Sequence, residues 1–196
     1  MDGLEKFNNI SQYGATRSTI PVTWTADDLN FEWLETVQTN EVPVDDPWDS
    51  FTTDMKYELT ELHAGWKVPD ASTWHLMAHK PELNDNLKPI LNHFSYKNLS
   101  YNFIKITPGH MLVWHYDTYA SFVHRNDITF ADADKIKRSA ILMNDWDRGQ
   151  VIEVGNNIVA HWKAGSVLTW ESFAWHGTAN FGPTDMIVMQ ISYLDE

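Results

Sequence analysis

From Leu99 to the end of the chain, apolar residues fall into short β-rich runs punctuated by turn-forming pairs. The runs are Tyr101–Thr107, Met111–Tyr116, Arg138–Met143, Val151–Val154, Ile158–Trp162, Val167–Trp170 and Met186–Tyr193. Pro108-Gly109, Gly155-Asn156-Asn157 and Ala164-Gly165 stand between them as turns. Many short strands at this spacing predict an all-β sandwich or barrel. The first half reads differently. Thr25-Ala26-Asp27-Asp28 is a helix start, and Leu29, Trp33, Leu34 and Val37 follow it at helical spacing, which predicts a helix over 26–38. Asn40–Asp49, with Pro43 and Pro47, reads as an irregular connection, and Asn84–Phe94 as a second helix. The expected architecture is mainly β: a jelly-roll barrel over residues 99–196, with residues 1–98 as a helical buttress and extension within the same single domain.

Composition narrows the function. The chain has 196 residues, 43% of them hydrophobic, with 10 Trp, which is enough for one proper core. Acidic residues outnumber basic ones 27 to 14, and the net charge of −13 with scattered Lys and Arg disfavours nucleic acid as a partner. A neutral or cationic target, such as a basic peptide or an amino acid, suits that balance better. There is no Cys, so any metal must be held by imidazole and carboxylate. Met1-Asp2-Gly3-Leu4-Glu5-Lys6 lacks the basic and apolar regions of a signal peptide, and no apolar run is long enough to span a bilayer. A soluble cytoplasmic protein with no membrane partner is expected.

Within the β half, His115-Tyr116-Asp117 and the distant His176 supply two imidazoles and one carboxylate. On a strand, residues i and i+2 share a face, so His115 and Asp117 can grip one ion together, with His176 closing the face. Two His and one carboxylate leave open positions on the far side of an octahedron, the arrangement of a non-haem Fe(II) oxygenase. H-x-D occurs often by chance. The context strengthens it: both motifs fall at strand ends, where a small barrel brings distant ligands together at its mouth. The segment Thr118–Lys137 starts beside this site, is too long for a tight hairpin, and is a candidate lid.

The runs IKRSAILMNDWDRGQVIEVG, WKAGSVLTWESFAWHGTANFG and MIVMQISY, together with Tyr101–Asp117, resemble the 2-oxoglutarate- and Fe(II)-dependent dioxygenases, in the style of the prolyl-hydroxylase-like and aspartyl/asparaginyl-hydroxylase-like branches. The resemblance covers roughly the C-terminal half. It implies a double-stranded β-helix fold, His115, Asp117 and His176 as iron ligands and catalytic centre, and Fe(II), 2-oxoglutarate and O₂ as cofactor and cosubstrates, with ascorbate a possible addition. The expected reaction hydroxylates a C–H bond of a peptide, protein or small-molecule substrate and releases succinate and CO₂. One departure stands out: the position about ten residues past the distal His, basic in many members, is Met186 here. Other members use a basic residue on the strand after the lid, where this chain has Lys137-Arg138. Arg138 shares a face with Ala140 and Leu142, the set assigned to the barrel interior, and its guanidinium can bind a carboxylate bidentately. The alternative is a strand-edge Arg in a surface ion pair; Lys137 is the second choice.

Tyr101 and Asn144 are further candidates for the cosubstrate, although a strand Tyr is commonly a core residue and an Asn before Asp145 commonly a turn residue. Parity directs Gln190 to the site. Trp114, Trp170 and Trp175 flank the ligands as packing, and His110, His124 and His161 have no motif partner. His176 to Asn180 also satisfies the H-x3-N ending of a cupin motif, but cupins usually carry H-x-H where this chain has H-x-D. A cupin-type metalloenzyme or a non-catalytic jelly-roll binding module is therefore the competing expectation.

Overall fold

The computed structural model describes residues 14–37, 74–94, 96, 98–117, 119–126, 128–129, 135–172 and 174–195. Its strands are β1 (Thr16–Thr19), β2 (Leu34–Val37), β3 (Trp74–His79), β4 (Ser100–Ile106), β5 (His110–His115), β6 (Ile136–Leu142), β7 (Gln150–Val154), β8 (Asn157–Val159), β9 (Ser166–Glu171), β10 (His176–Asn180) and β11 (Met186–Leu194). Two short helices, α1 (Lys88–Asn92) and α2 (Ala120–Arg125), and one 3₁₀ turn (Ala26–Leu29) complete the elements. The strands form a seven-stranded sheet in the order β1-β9-β6-β11-β4-β3-β2 and a four-stranded sheet in the order β5-β10-β7-β8. Counted from β4, the first, eighth, third and sixth strands share one sheet and the second, seventh, fourth and fifth share the other. All pairings are antiparallel. This is the strand order of a double-stranded β-helix, a jelly roll built from two Greek keys.

Alternation along β11 shows how the layers are held. Met186 and Val188 enter the barrel interior with Ile104, Leu142, Ile152 and Leu168. Met189, Ile191 and Tyr193 face the opposite way, against Trp24, Leu29, Leu87, Ile90 and Phe94. A strand buried on both faces needs a nearly continuous apolar run, which is why MIVMQISY reads as one. Trp24 ties the outer layer down by donating its indole N–H to the Met143 carbonyl at 2.8 Å.

Three expectations are corrected. The helix over 26–38 is one 3₁₀ turn followed by β2. The Asp28 carboxylate accepts from the Thr25 amide and hydroxyl at 2.7 and 3.0 Å and from Asn84 and Asn86, which closes a single turn. Leu34–Val37 then pairs with β3, so tertiary pairing overrides the helical spacing. The second helix is shortened to α1, because Asn84–Leu87 form a turn in which the Asn84 carboxamide oxygen accepts from the Asn86 and Leu87 amides. Finally, the described part of residues 1–98 is not chiefly helical: it adds β1, β2 and β3 to the large sheet. The expected connection at 40–49 lies outside the described residues.

Asn180 anchors the end of β10 to the barrel floor. Its Nδ2 donates to the Ile106 and Thr184 carbonyls at 2.7 and 2.8 Å, and its Oδ1 accepts from the Gly182 amide at 3.0 Å. With the side chain fully buried, Asn180→Ala removes three hydrogen bonds to backbone groups, of which the Thr184 carbonyl alone keeps another side-chain donor, Gln150 Nε2 at 3.1 Å. We expect a loss of about 3 kcal/mol in unfolding free energy by urea titration, at about 1 kcal/mol per bond. The Asn of the H-x3-N pattern is thus a structural bracket at the opposite end of β10 from His176.

Candidate metal centre

β5 ends at His115 and β10 begins at His176, and the two residues are register partners. A bulge between His176 and Thr178 shifts the register there. Gly177 permits the close approach: a Cβ there would lie 3.2 Å from the Trp114 Cα and amide nitrogen and 3.3 Å from the Leu112 carbonyl. These are backbone atoms that cannot swing aside. Gly177→Ala should push β10 off β5, spread the two imidazoles, and weaken metal binding about tenfold, as loss of ligand support typically does, with calorimetry as the check.

Asp117 follows two residues after His115, beyond the strand end. Its Oδ1 is 4.0 Å from His115 Nε2 and its Oδ2 is 3.6 Å from His176 Nε2. The donor atoms of the three residues lie within 4.8 Å of one another. A divalent first-row ion about 2.1 Å from each donor needs them about 3 Å apart, which small side-chain rotations reach. The state of the ligands suits a metal. His176 Nδ1 lies 2.9 Å from the Ala174 carbonyl, which can only accept, so the proton sits on Nδ1 and Nε2 presents its lone pair. That Nε2 is buried without a hydrogen-bond partner. Burial first, then the neighbouring His115, hold the His176 pKa down to about 4, so the ring is neutral at pH 7. Burial alone would raise the Asp117 pKa, but Arg138, His176 and His115 outweigh it and hold it at about 2. A neutral imidazole and an ionised carboxylate are the forms a metal requires.

Arg138 points inward on β6. Its Nη2 is 2.7 Å from Asp117 Oδ2 and its Nη1 donates to Gln190 Oε1 at 2.9 Å. The Tyr119 ring lies 5.3 Å from the guanidinium carbon. Tyr119 opens α2 with φ of 55°, a left-handed conformation uncommon for an aromatic residue. The expected lid segment therefore carries a helix, pinned by Tyr119, Phe122 and Val123 against Ile136.

Three candidates are placed elsewhere. Lys137, one residue from Arg138, faces the other way and pairs with Asp195 and, at 3.6 Å, with Glu171. Tyr101 lies on the outer side of β4 and donates its hydroxyl to the Pro81 carbonyl at 2.9 Å. Asn144 is past the opposite end of β6; its carboxamide donates to the Asp185 carbonyl and accepts from the Ile187 amide, each at 2.9 Å. Six residues of extended chain separate it from Arg138 by about 20 Å. His110 meets Thr107 and His161 packs against Trp146 with the rings tilted, and neither joins the His/Asp/His cluster.

Tyr119 and His75 belong to no motif in the sequence. His75 on β3 is buried, its Nδ1 lacks a partner, and burial together with His115 and His79 brings its pKa down to about 4. Its only sequence signal is an imidazole within an apolar run. A cavity of about 30 Å³ runs inward from His115 and His176, between Leu112, Ala140, Ile152, Met186 and Val188. That is about the volume of one water, and its walls are apolar. A cleft of about 680 Å³ lies apart from the triad, between Trp24, Trp33 and Ile187.

No protein-family model and no curated protein matches the chain. Among solved structures it is similar to a predicted oxalate decarboxylase from Thermotoga maritima, at 17% identity and TM-score 0.40 over 62% of this chain and 82% of that one. It is also similar to a cupin domain from Bordetella pertussis Tohama I, at 10% identity and TM-score 0.38 over 64% and 97%. The cupin domain of Schizosaccharomyces pombe Cnp3 is similar at 7% identity and TM-score 0.39 over 62% and 65%. Fold and site together define a cupin-like jelly-roll protein with a His/Asp/His cluster at the barrel mouth, and the strand order carries that assignment.

Proposed function

We propose that this protein is a jelly-roll metalloenzyme whose divalent first-row ion is held by His115, Asp117 and His176, and that it is a 2-oxoglutarate-dependent oxygenase hydroxylating a peptide, protein or amino-acid-like substrate. The observation that carries the reading is a carboxylate beside two imidazoles within 4.8 Å, a donor set with open positions, where the usual cupin motif has a third His. Bound Fe(II) would supply the activation of O₂ that couples decarboxylation of 2-oxoglutarate to C–H hydroxylation. The protein's part is positional. His176, fixed by Ala174, and Asp117, oriented by Arg138, keep the three donors on one side. Arg138 is the residue for the distal carboxylate of the oxo acid, since the interior at Met186 is apolar. The Tyr119 ring, at the start of α2, stands over the guanidinium and would keep water from the mouth.

A second reading, a cupin-type metalloenzyme or binding module that takes no oxo acid, draws on the engagement of Arg138 with Asp117 and Gln190 and on the small interior cavity. The test is anaerobic calorimetry of protein loaded with Fe(II) or Mn(II), titrated with 2-oxoglutarate. Micromolar binding, lost in both His176→Ala and Arg138→Ala, is the expected result. Metal binding with no response to 2-oxoglutarate would leave the second reading.

A further inference from the structure

β11 borders a second recess on its outer side. Met186 and Val188 point into the small cavity beside His115 and His176, while Ile187 between them lines the cleft of about 680 Å³. Strand alternation sets the two spaces back to back, with no lining residue in common. The cleft has the size of a small-ligand site, about 300–1,000 Å³. Its lining is mixed: Trp33 forms part of the wall, the Lys105 ammonium stands 4.5 Å from the centre of that ring, and Asp27, Asn30 and Asp185 also face the space. Lys105 is the unusual member. Its side chain is only 18% exposed, and the carboxylate of Asp185 lies 4.0 Å away, beyond hydrogen-bond reach. An ammonium with three donors is thus held by a ring face and a distant carboxylate, with no hydrogen-bonded acceptor among the described residues.

We infer that this cleft binds a neutral saccharide of one or two rings, seated against Trp33 and hydrogen-bonded by Lys105 and Asp185. The lining selects the class. A cationic ligand would compete with Lys105, which already stands over the Trp33 ring on the side of Asp185. An anion would meet Asp27 and Asp185, in a chain of net charge −13. An apolar ligand would cover an ammonium and two carboxylates without pairing them, which is costly. A hydroxyl group both donates and accepts, so neighbouring hydroxyls of one sugar ring can accept from Lys105 and donate to Asp185 across their 4.0 Å gap. The C–H face of the same ring offers the flat apolar area that an indole covers. None of these residues belongs to the metal cluster, so the site stands whether or not the cosubstrate reading does.

The test titrates isotope-labelled protein with maltose, cellobiose and lactose and follows the tryptophan indole N–H resonances, the Trp33 signal being identified by its absence from Trp33→Phe. Choline and inorganic phosphate are titrated alongside as a cation and an anion. The expected result is a saturable, millimolar shift of the Trp33 signal by at least one of the sugars. Its affinity should fall about tenfold in Lys105→Met and in Asp185→Asn, the size of one hydrogen bond to a charged group, and stay unchanged in His176→Ala. Thermal melts establish that each variant is folded, and Lys105→Gln serves if the Met variant is not. A shift produced by choline or phosphate and by no sugar would overturn the ligand class. No shift with any probe, or sugar affinity equal to the parent's in both cleft variants, would overturn the site. Loss of sugar binding in His176→Ala would place it at the metal cluster and overturn the assignment to the cleft.

Discussion

Metal-free Arg138→Met should be less stable than the parent by about 3 kcal/mol in urea titrations, and adding Mn(II) should recover most of the loss. Replacing Arg138 leaves Asp117 as a partly buried carboxylate without its nearest counter-charge, and breaking such a pair from one side typically costs about 3–5 kcal/mol. Asp117 stays ionised because Arg138 outweighs the effect of burial together with the two imidazoles, so the variant loses the largest opposing charge. A dication between His115, Asp117 and His176 supplies that charge from the other side, and its binding adds stability by mass action. The reverse variant behaves differently. Asp117→Ala removes a metal ligand as well as the partner of Arg138, so it should be destabilised with little rescue by Mn(II). Equal rescue of both variants would show that the ion does not use Asp117.

The second large effect is acid sensitivity of the metal-free protein. The His176 pKa falls from the ordinary 6.5 to about 4, so below pH 6.5 the unfolded chain takes up a proton that the folded chain refuses. Stability from this group is fully present above about pH 6.5 and is lost as pH falls toward 4. The loss approaches about 3 kcal/mol, at 1.36 kcal/mol per pKa unit. His75, held at about 4 chiefly by burial, acts with the same sign in the same window. Asp117 contributes only below that range, as pH falls from 3.8 toward 2. Urea titrations at pH 7.5, 6 and 5 should show the fall, and His75→Gln should flatten it in part. Constant stability from pH 7.5 to 5 would mean that neither ring is held neutral by the fold.

The β half was largely legible because its strands are either alternating or buried on both faces. Such patterns depend on local side-chain geometry, and the parity that put Arg138 with Ala140 and Leu142 is the one in the structure. The same parity turned Gln190 inward and, applied to its neighbour, sends Lys137 outward. β10 was not legible as a strand. His176-Gly177-Thr178-Ala179-Asn180 has weak β propensity and becomes a strand only because β5 and β7 pair with it from both sides. The first half misled for a related reason: β2 and β3 reach the large sheet by long-range pairing, and a helical spacing of Leu29, Trp33, Leu34 and Val37 carries no trace of the partner strand. Asn144 and Tyr101 were chosen for their chemistry, and it was their chemistry that took them elsewhere, since each satisfies a backbone group that burial would otherwise strand.

The five-residue strand β10 holds a candidate metal ligand at one end and the Asn180 bracket at the other. It is short and stiff, so the position of His176 is inherited from the barrel floor as well as from the rim. Changes in the Phe181–Thr184 turn, at the opposite end of β10 from the His/Asp/His cluster, should therefore register in the spectrum of an added ion. The rim has the opposite freedom: α2 and the half-buried Trp114 and Trp175 are not part of β10, so they can change while the strut that aims His176 stays as it is.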